Sequence, residues 1–182
     1  MISNRDVSEV LLDSLKKLEY RGYDSAGIVT IDNGQITLKK DVGKINEVDT
    51  KVDFSKLKGN IGLAHSRWST HGKVTKENAH PHTDCSGKIS IVHNGIIENH
   101  TKLKKELEEK GHKFKSETDT EVIAHLIEEN YKDDMIKAVS EALKKVEGSY
   151  ALGIIHADYD GLIAARNESP LVIGVGENEN FI

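Results

Sequence analysis

Residues 61 to 85, IGLAHSRWSTHGKVTKENAHPHTDC, gather four of the chain's nine histidines beside its only tryptophan and its only cysteine. Side chains of these types fit three chemistries: a metal centre, a Cys/His catalytic pair, or a pocket that grips a small charged molecule. His80 and His82 alternate along an extended segment, so both rings would face one side, with Asp84, Cys85 or His71 to complete a shell. Zinc sites are usually announced by tight pairs such as CxxC or HExxH. The stretch has neither, and surface, hydrogen-bonded histidines around prolines in a loop are the favoured reading. Cys85 lies in Thr83-Asp84-Cys85-Ser86-Gly87, a turn composition with no helix N-terminus or cationic neighbour to lower the thiol pKa. It is read as incidental.

The pocket reading draws on separate segments. Arg67 follows a strand-like run directly, and its planar fork is suited to a carboxylate. Asp119 could answer an ammonium, and the pair would recognise the zwitterionic head of a free α-amino acid. Asn94-Gly95 supplies a side-chain amide and a backbone N–H that can both point at a developing oxyanion, and Gly95 allows close backbone approach of a ligand. Each feature also has an ordinary explanation alone: a surface ion pair, an acid in a first helical turn, an Asn-Gly turn. Only their combination argues for a site.

The elements that must position these residues follow from periodicity. Val7, Val10, Leu11, Leu15 and Leu18 predict a helix over 6–20, stopped by Gly22. GIVTIDNGQITLKK predicts a hairpin around Asp32-Asn33-Gly34. Residues 44–58 read as a short helix and loop. Ile61–His65 reads as a strand, 67–87 as a long loop of a length that is usually functional, and Lys88–His93 as a strand ending at Asn94-Gly95. Helices are predicted over 99–110, from a capping box at Thr118-Asp119-Thr120-Glu121 to about Tyr131, and over Met135–Val146. YALGIIH, GLIAARN and PLVIGVG read as three closing strands. Strands grouped apart from helices point to α+β.

Length predicts one domain spanning 1–182. A net charge of -5 offers no basic stripe for nucleic acid or anionic lipid. No apolar run approaches the roughly 18–20 residues of a membrane span, and MISNRDVSEV is too polar for a secretory signal. A single cysteine suits a reducing cytoplasm. The expectation is a cytoplasmic domain, free of membrane and nucleic acid, cut from something longer at both ends.

Six ordered segments carry a resemblance: LEYRGYDSAG (18–27), HSRWSTHG (65–72), NAHPH (78–82), VHNGIIENH (92–100), SETDTEV (116–122) and SPLVIGVGENENFI (169–182). Together they resemble the glutaminase domain of the glutamine–fructose-6-phosphate aminotransferase (isomerizing) family, the glucosamine-6-phosphate synthases. The resemblance implies an N-terminal-nucleophile hydrolase fold, a four-layer α/β/β/α sandwich with two antiparallel sheets. It also implies hydrolysis of L-glutamine to glutamate, with ammonia delivered to sugar-isomerase domains that make glucosamine-6-phosphate. No cofactor and no metal are implied. By position, Arg67 would bind the glutamine α-carboxylate and Asp119 the α-ammonium, with Thr70 and His71 lining the pocket. Asn94 and Gly95 would form the oxyanion hole, Trp68 would gate the ammonia exit, and Arg21 would lie near the nucleophile. That nucleophile is an N-terminal cysteine opening a Cys-Gly-Ile strand, with its own α-amine as base. This sequence opens on Met1 instead, and neither Ser3 nor Cys85 matches the family position. The chain as given is therefore expected to be inactive, its first strand and its sugar-isomerase domains lost. The alternatives are a non-catalytic glutamine-binding relative and, remotely, a His-rich metal-binding domain.

Overall fold

The computed structural model describes residues 1–68 and 73–182; the side chain of Arg21 lies outside that description. The helix predicted over 6–20 forms as α1, Ser8–Leu18, followed by a 3-10 turn at Glu19–Arg21. Its Leu11 and Leu15 lie on one buried stripe with Val7, the spacing that the periodicity demanded. The hairpin forms as β2 (Ser25–Asp32) and β3 (Gln35–Val42) in unbroken register. Both turn residues take positive φ, 48° at Asn33 and 76° at Gly34, a combination that gives the tight turn a twist matching its strands. Residues 44–58 resolve into α2 (Ile45–Val52) and a 3-10 turn at Phe54–Lys56.

A two-residue strand, β1 (Ile2–Ser3), then β4 (Ile61–Arg67), β9 (Gly174–Val175) and β10 (Glu179–Phe181) complete a first sheet in the order β3-β2-β4-β1-β10-β9. The second sheet is β5 (His82–Thr83), β6 (Ile89–Ile97), β7 (Gly148–His156) and β8 (Tyr159–Asn167), in that order. Every strand pair is antiparallel. The remaining helices are α3 (His100–Glu109), α4 (Glu121–Asn130) and α5 (Met135–Leu143).

Three apolar clusters give the layers. Ala26 and Ile28 of β2 pack against α1 and α2, while Val29, Ile31, Ile61 and Leu63 turn the other way to meet Ile155 of β7. On the far side, Ile89, Ile91, Leu152 and Ile154 pack under α3, α4 and α5. The result is helix, sheet, sheet, helix, the α+β sandwich expected. No helix among the described residues is long and apolar enough to cross a membrane.

Four expectations fail locally. Asn94-Gly95 does not end a strand: β6 runs on to Ile97, pairing Asn94 with Ala151 and Gly95 with Tyr150. The dipeptide makes a tight turn only with positive φ at both positions, and here only Gly95 has it. The capping box is absent, because Thr118 Oγ1 bonds His82 Nε2 (3.1 Å) while Glu121 accepts from the backbone of Lys115 and Ser116. PLVIGVG forms a strand only at Gly174–Val175, its Val172 and Ile173 left exposed. The loop 67–87 contains β5.

Gly59 holds the α1 side of the first sheet close. Its φ is +121°, and a Cβ there would lie 1.9 Å from the Ile31 carbonyl oxygen. Gly59→Ala is expected to destabilise the fold by about 2 kcal/mol or more, read as a lower urea midpoint; an unchanged midpoint would contradict this packing.

Candidate functional site

The face of β4 that carries Ile61 and Leu63 also carries His65 and Arg67, so both project between the sheets. Across the gap, the face of β6 that carries Val92 also carries Asn94. His65 Nε2 and Asn94 Oδ1 meet at 2.9 Å. This contact joins two half-sites on different sheets.

The first half-site is built on the end of β4. Arg67 is 8% exposed, and its carbonyl accepts the Asp24 N–H at 3.1 Å. Gly22 lies so close to it that a Cβ would sit 2.8 Å from the Arg67 carbonyl carbon. The 3-10 turn carrying Arg21 is thereby brought to the end of β4. Trp68 is 61% exposed, with its ring centroid 5.7 Å from that of Tyr23. Thr70 and His71 lie outside the described residues.

The second half-site is built on β6. Asp119 precedes α4, and its Oδ2 accepts the Ile97 N–H at 2.8 Å, which places the carboxylate two residues beyond Gly95. Its Oδ1 makes only a 3.5 Å contact with the Thr120 hydroxyl, leaving acceptor capacity for an ammonium. Gly95 has φ +136°, and a Cβ would lie 2.1 Å from the Ser149 carbonyl oxygen. The close approach anticipated for a ligand is made by β7 itself, so Gly95 is required by the sheet before any ligand binds.

Sequence reasoning assigned no role to His65, His93 or Thr120, which hold the half-sites in place. Burial is the main cause lowering the pKa of His65, against a raising contact from Asn94, so the ring is neutral at pH 7. With Asn94 Oδ1 as acceptor, the proton lies on His65 Nε2, and both Asn94 Nδ2 hydrogens remain available as donors. His80 stacks on His65 with centroids 4.4 Å apart. Thr120 Oγ1 lies 3.0 Å from His80 Nε2 and 2.9 Å from His93 Nδ1. Because His93 Nε2 faces the Ser149 carbonyl at 3.4 Å, Thr120 donates to His93 and accepts from His80. The strand parity that pairs Leu63 with His65 and Arg67 was the one signal that could have flagged His65.

The metal and Cys/His readings of the opening stretch change. His80 and His82 are buried and bonded to Thr120 and Thr118. Cys85, read as having no useful neighbour, has His112 Nδ1 at 3.7 Å and His125 Nδ1 at 3.5 Å. Burial, with Glu128 and Asp84 adding to it, pushes its thiol pKa up, the wrong direction for a nucleophile.

A family model described as a glutamine amidotransferase domain matches residues 65–182. The chain belongs to that family. It is 53% identical to the glutamine–fructose-6-phosphate aminotransferase [isomerizing] of Methanothermobacter thermautotrophicus, an alignment covering all of this chain and 31% of the relative. The corresponding protein of Thermus thermophilus is 51% identical over 98% of this chain and 30% of its own length. This amidotransferase domain thus spans about 31% of the curated relatives it matches. Among solved structures, the glutamine phosphoribosylpyrophosphate amidotransferase from B. subtilis, complexed with ADP and GMP, superposes with a TM-score of 0.79 at 31% identity. That match covers 91% of this chain and 36% of the other. The sandwich is the N-terminal-nucleophile hydrolase fold.

The buried histidines make the amidotransferase domain acid-sensitive. Burial is the first cause depressing the pKa of His80, His82 and His93 below the usual 6.5. Below pH 6.5 the unfolded chain binds protons that the folded chain refuses, so stability falls with pH until each folded pKa is reached. Each histidine contributes up to about 1.4 kcal/mol per pH unit in that window. Urea midpoints measured at pH 7.5, 6.5 and 5.5 are expected to fall over both steps and to fall more steeply over the second, because the unfolded histidines are already half protonated at pH 6.5. A level second step would show that these rings are protonated in the fold.

Proposed function

We infer that this chain is the glutaminase part of a glucosamine-6-phosphate synthase, freeing ammonia from L-glutamine for transfer to fructose-6-phosphate on sugar-isomerase domains of the same protein. The observation that supports the reading is the His65–Asn94 contact, which joins the strand end carrying Arg67 to the strand carrying Asn94 and Gly95, with Asp119 bonded two residues further along β6.

In this reading Arg67 takes the α-carboxylate of glutamine in a bidentate pair, and Asp119 Oδ1 takes the α-ammonium. The side-chain carboxamide then points along β6. Asn94 Nδ2, oriented by His65, and the Gly95 N–H stabilise the oxyanion that forms when a thiolate attacks that carboxamide. Ammonia leaves past Trp68, and water cleaves the thioester. The roles the resemblance implies for Thr70, His71 and the Arg21 side chain fall outside the described residues.

Strand register supports a position for the attacking cysteine. β1 pairs with β4 at Ile2↔Ile61, and among the described residues β4 has no other strand partner on that edge. Continuing the same antiparallel register, the fifth residue ahead of Met1 would face Arg67. A five-residue extension opening Cys-Gly-Ile therefore delivers its N-terminal thiol and α-amine to the arginine end of the pocket.

The polypeptide of residues 1–182 alone is expected to release no ammonia from glutamine, and the five-residue extension is expected to create glutaminase activity. A folded but inert extended protein would favour a glutamine-binding, non-catalytic relative. Turnover by the unextended polypeptide would refute the assignment of the nucleophile.

Arg67→Ala is expected to weaken glutamate binding by about 2 kcal/mol or more, roughly 30-fold, because it strips a charged hydrogen-bonded partner. Calorimetry reads this directly in the extended protein, and unchanged affinity would remove Arg67 from the pocket.

A further inference from the structure

Outside the glutamine pocket, on the helical face of the second sheet, four side chains from three segments converge. Cys85 lies in the turn between β5 and β6, His112 follows α3, and His125 and Glu128 lie on α4. The Cys85 Sγ, one ring nitrogen of each histidine and one Glu128 oxygen all lie within 4.8 Å of one another. Sγ stands 3.7 Å from His112 Nδ1 and 3.5 Å from His125 Nδ1. Glu128 Oε2 stands 3.1 Å from the first of these nitrogens and 3.2 Å from the second. A tetrahedral zinc with Zn–S near 2.3 Å and Zn–N or Zn–O near 2.0–2.1 Å would set sulfur–nitrogen edges of about 3.6 Å and nitrogen–oxygen edges of about 3.3 Å. The four measured edges bracket or approach those values.

The outer nitrogens give an independent reason. His112 Nε2 lies 3.0 Å from Glu129 Oε2, and His125 Nε2 lies 3.6 Å from Glu121 Oε1. His112 thus has a carboxylate oxygen in hydrogen-bond reach of both nitrogens, while His125 bonds Glu128 through Nδ1 and has Glu121 only as an ion-pair neighbour of Nε2, which makes no hydrogen bond. A neutral imidazole carries one N–H, so one of the two carboxylates at His112 would face a lone pair. A cation at the centre resolves the conflict at His112, and at His125 it puts the ring proton on Nε2, the nitrogen that faces Glu121. The Nδ1 lone pairs turn to the metal, and both Nε2–H groups are directed at Glu129 and Glu121, the carboxylate–histidine–metal arrangement of zinc proteins.

The backbone supports the other two ligands. Lys113 N–H donates to Cys85 Sγ at 3.4 Å, as amides do to metal-bound thiolates. The N–H groups of Cys85 and Ser86 donate to Glu128 Oε2 and Oε1 at 3.1 and 3.2 Å, fixing the carboxylate. His125 is 1% and His112 11% exposed as side chains, whereas Cys85 is on the surface, so a metal would reach the cluster from solvent through its sulfur side.

We propose that Cys85, His112, His125 and Glu128 bind a zinc ion. Thiolate, two imidazoles and one carboxylate select zinc over magnesium or calcium, which prefer all-oxygen shells. Two anionic ligands neutralise the dication, and four protein ligands close the shell, so the role is structural. The ion clamps the β5–β6 turn and the segment after α3 onto α4. The site rests on none of the residues assigned to glutamine.

Untagged protein of residues 1–182, prepared from zinc-supplemented medium, is expected to hold one zinc per chain by mass spectrometry of its metals. The chelated protein should rebind zinc with a Kd of about nanomolar or tighter. Cobalt(II) should substitute and give a sulfur-to-cobalt charge-transfer band with the visible bands of a tetrahedral ion. Cys85→Ser, a change at the exposed ligand, should keep its circular dichroism, lose the charge-transfer band and bind zinc at least about 100-fold more weakly. Chelator should lower the melting temperature of the parent protein and leave that of Cys85→Ser unmoved. Zinc binding no tighter than about micromolar, or a Cys85→Ser variant with parental zinc affinity, would overturn the proposal and leave the cluster as two protonated histidines among three carboxylates.

Discussion

The geometry around Asn94 depends on one half-buried ammonium. The segment between β4 and β5 must cross from the first sheet to the second, and its Glu77, Ala79 and Pro81 carbonyls lie outside both ladders. Lys40 Nζ, on β3, supplies their donor, bonding the carbonyls of Ala79 (2.5 Å), Pro81 (2.9 Å) and Glu77 (3.2 Å). Burial brings the Lys40 pKa down to about 8, so the group is still largely charged at pH 7, and charged donors make the stronger hydrogen bonds. Gly27 is the cross-strand partner of Lys40, and a Cβ there would lie 2.2 Å from the His80 carbonyl oxygen. The crossing segment is therefore laid against the bare backbone of β2 and held there by the lysine beside it. His80 lands on His65 as a result, and His65 holds Asn94.

Features that rest on neighbours in the chain were legible in the sequence. The stripe of α1 and the Asn33-Gly34 hairpin each follow from a few consecutive residues. The same dipeptide misled at Asn94-Gly95, because nothing local distinguishes a turn from a strand whose glycine is flipped by an opposing β7 carbonyl. The capping pattern at Thr118–Glu121 failed for a related reason: the threonine and the glutamate found partners elsewhere that outcompeted the helix end. Arg67, Asn94 and Asp119 could be nominated because their chemistry is distinctive and the quoted motifs fix their roles by resemblance. His65, His93 and Thr120 could not, since their partners are 27 to 56 residues away and appear only when the sheets are stacked. Cys85 was dismissed for the same reason. Its histidines lie 27 and 40 residues on, in no recognisable spacing.

A site divided between two sheets inherits the rigidity of the sandwich. The Gly95 conformation is set by β7, and the Asn94 amide is set by a ring anchored on β4, so the donors proposed for the oxyanion are in place without a ligand. Preorganised donors need not reorient as charge develops, which is where such sites gain their effect. It also explains why the fold matches a phosphoribosylpyrophosphate amidotransferase closely at only 31% identity. The two stacked sheets are a self-contained unit, and the rest of each protein can differ without disturbing them.

The only cysteine of the chain lies on the other side of this architecture. The His65–Asn94 contact lies between the sheets, whereas Cys85 lies where the β5–β6 turn meets α4, under the outer helical layer. Yet the two regions share α4. Asp119 and Thr120 stand immediately before its first residue, and His125 and Glu128 lie on its middle and last turns, roughly 8–12 Å along the axis at about 1.5 Å per residue. A helix is stiff over that distance, so whatever draws His125 and Glu128 toward Cys85 and His112 also fixes the line along which Asp119 is presented to the gap. Thr120 ties the near end of the helix to His80 and His93, and the Cys85 cluster ties the far end to the β5–β6 turn. Held at both ends, α4 keeps the Asp119 carboxylate in register with β6, where it accepts the Ile97 N–H.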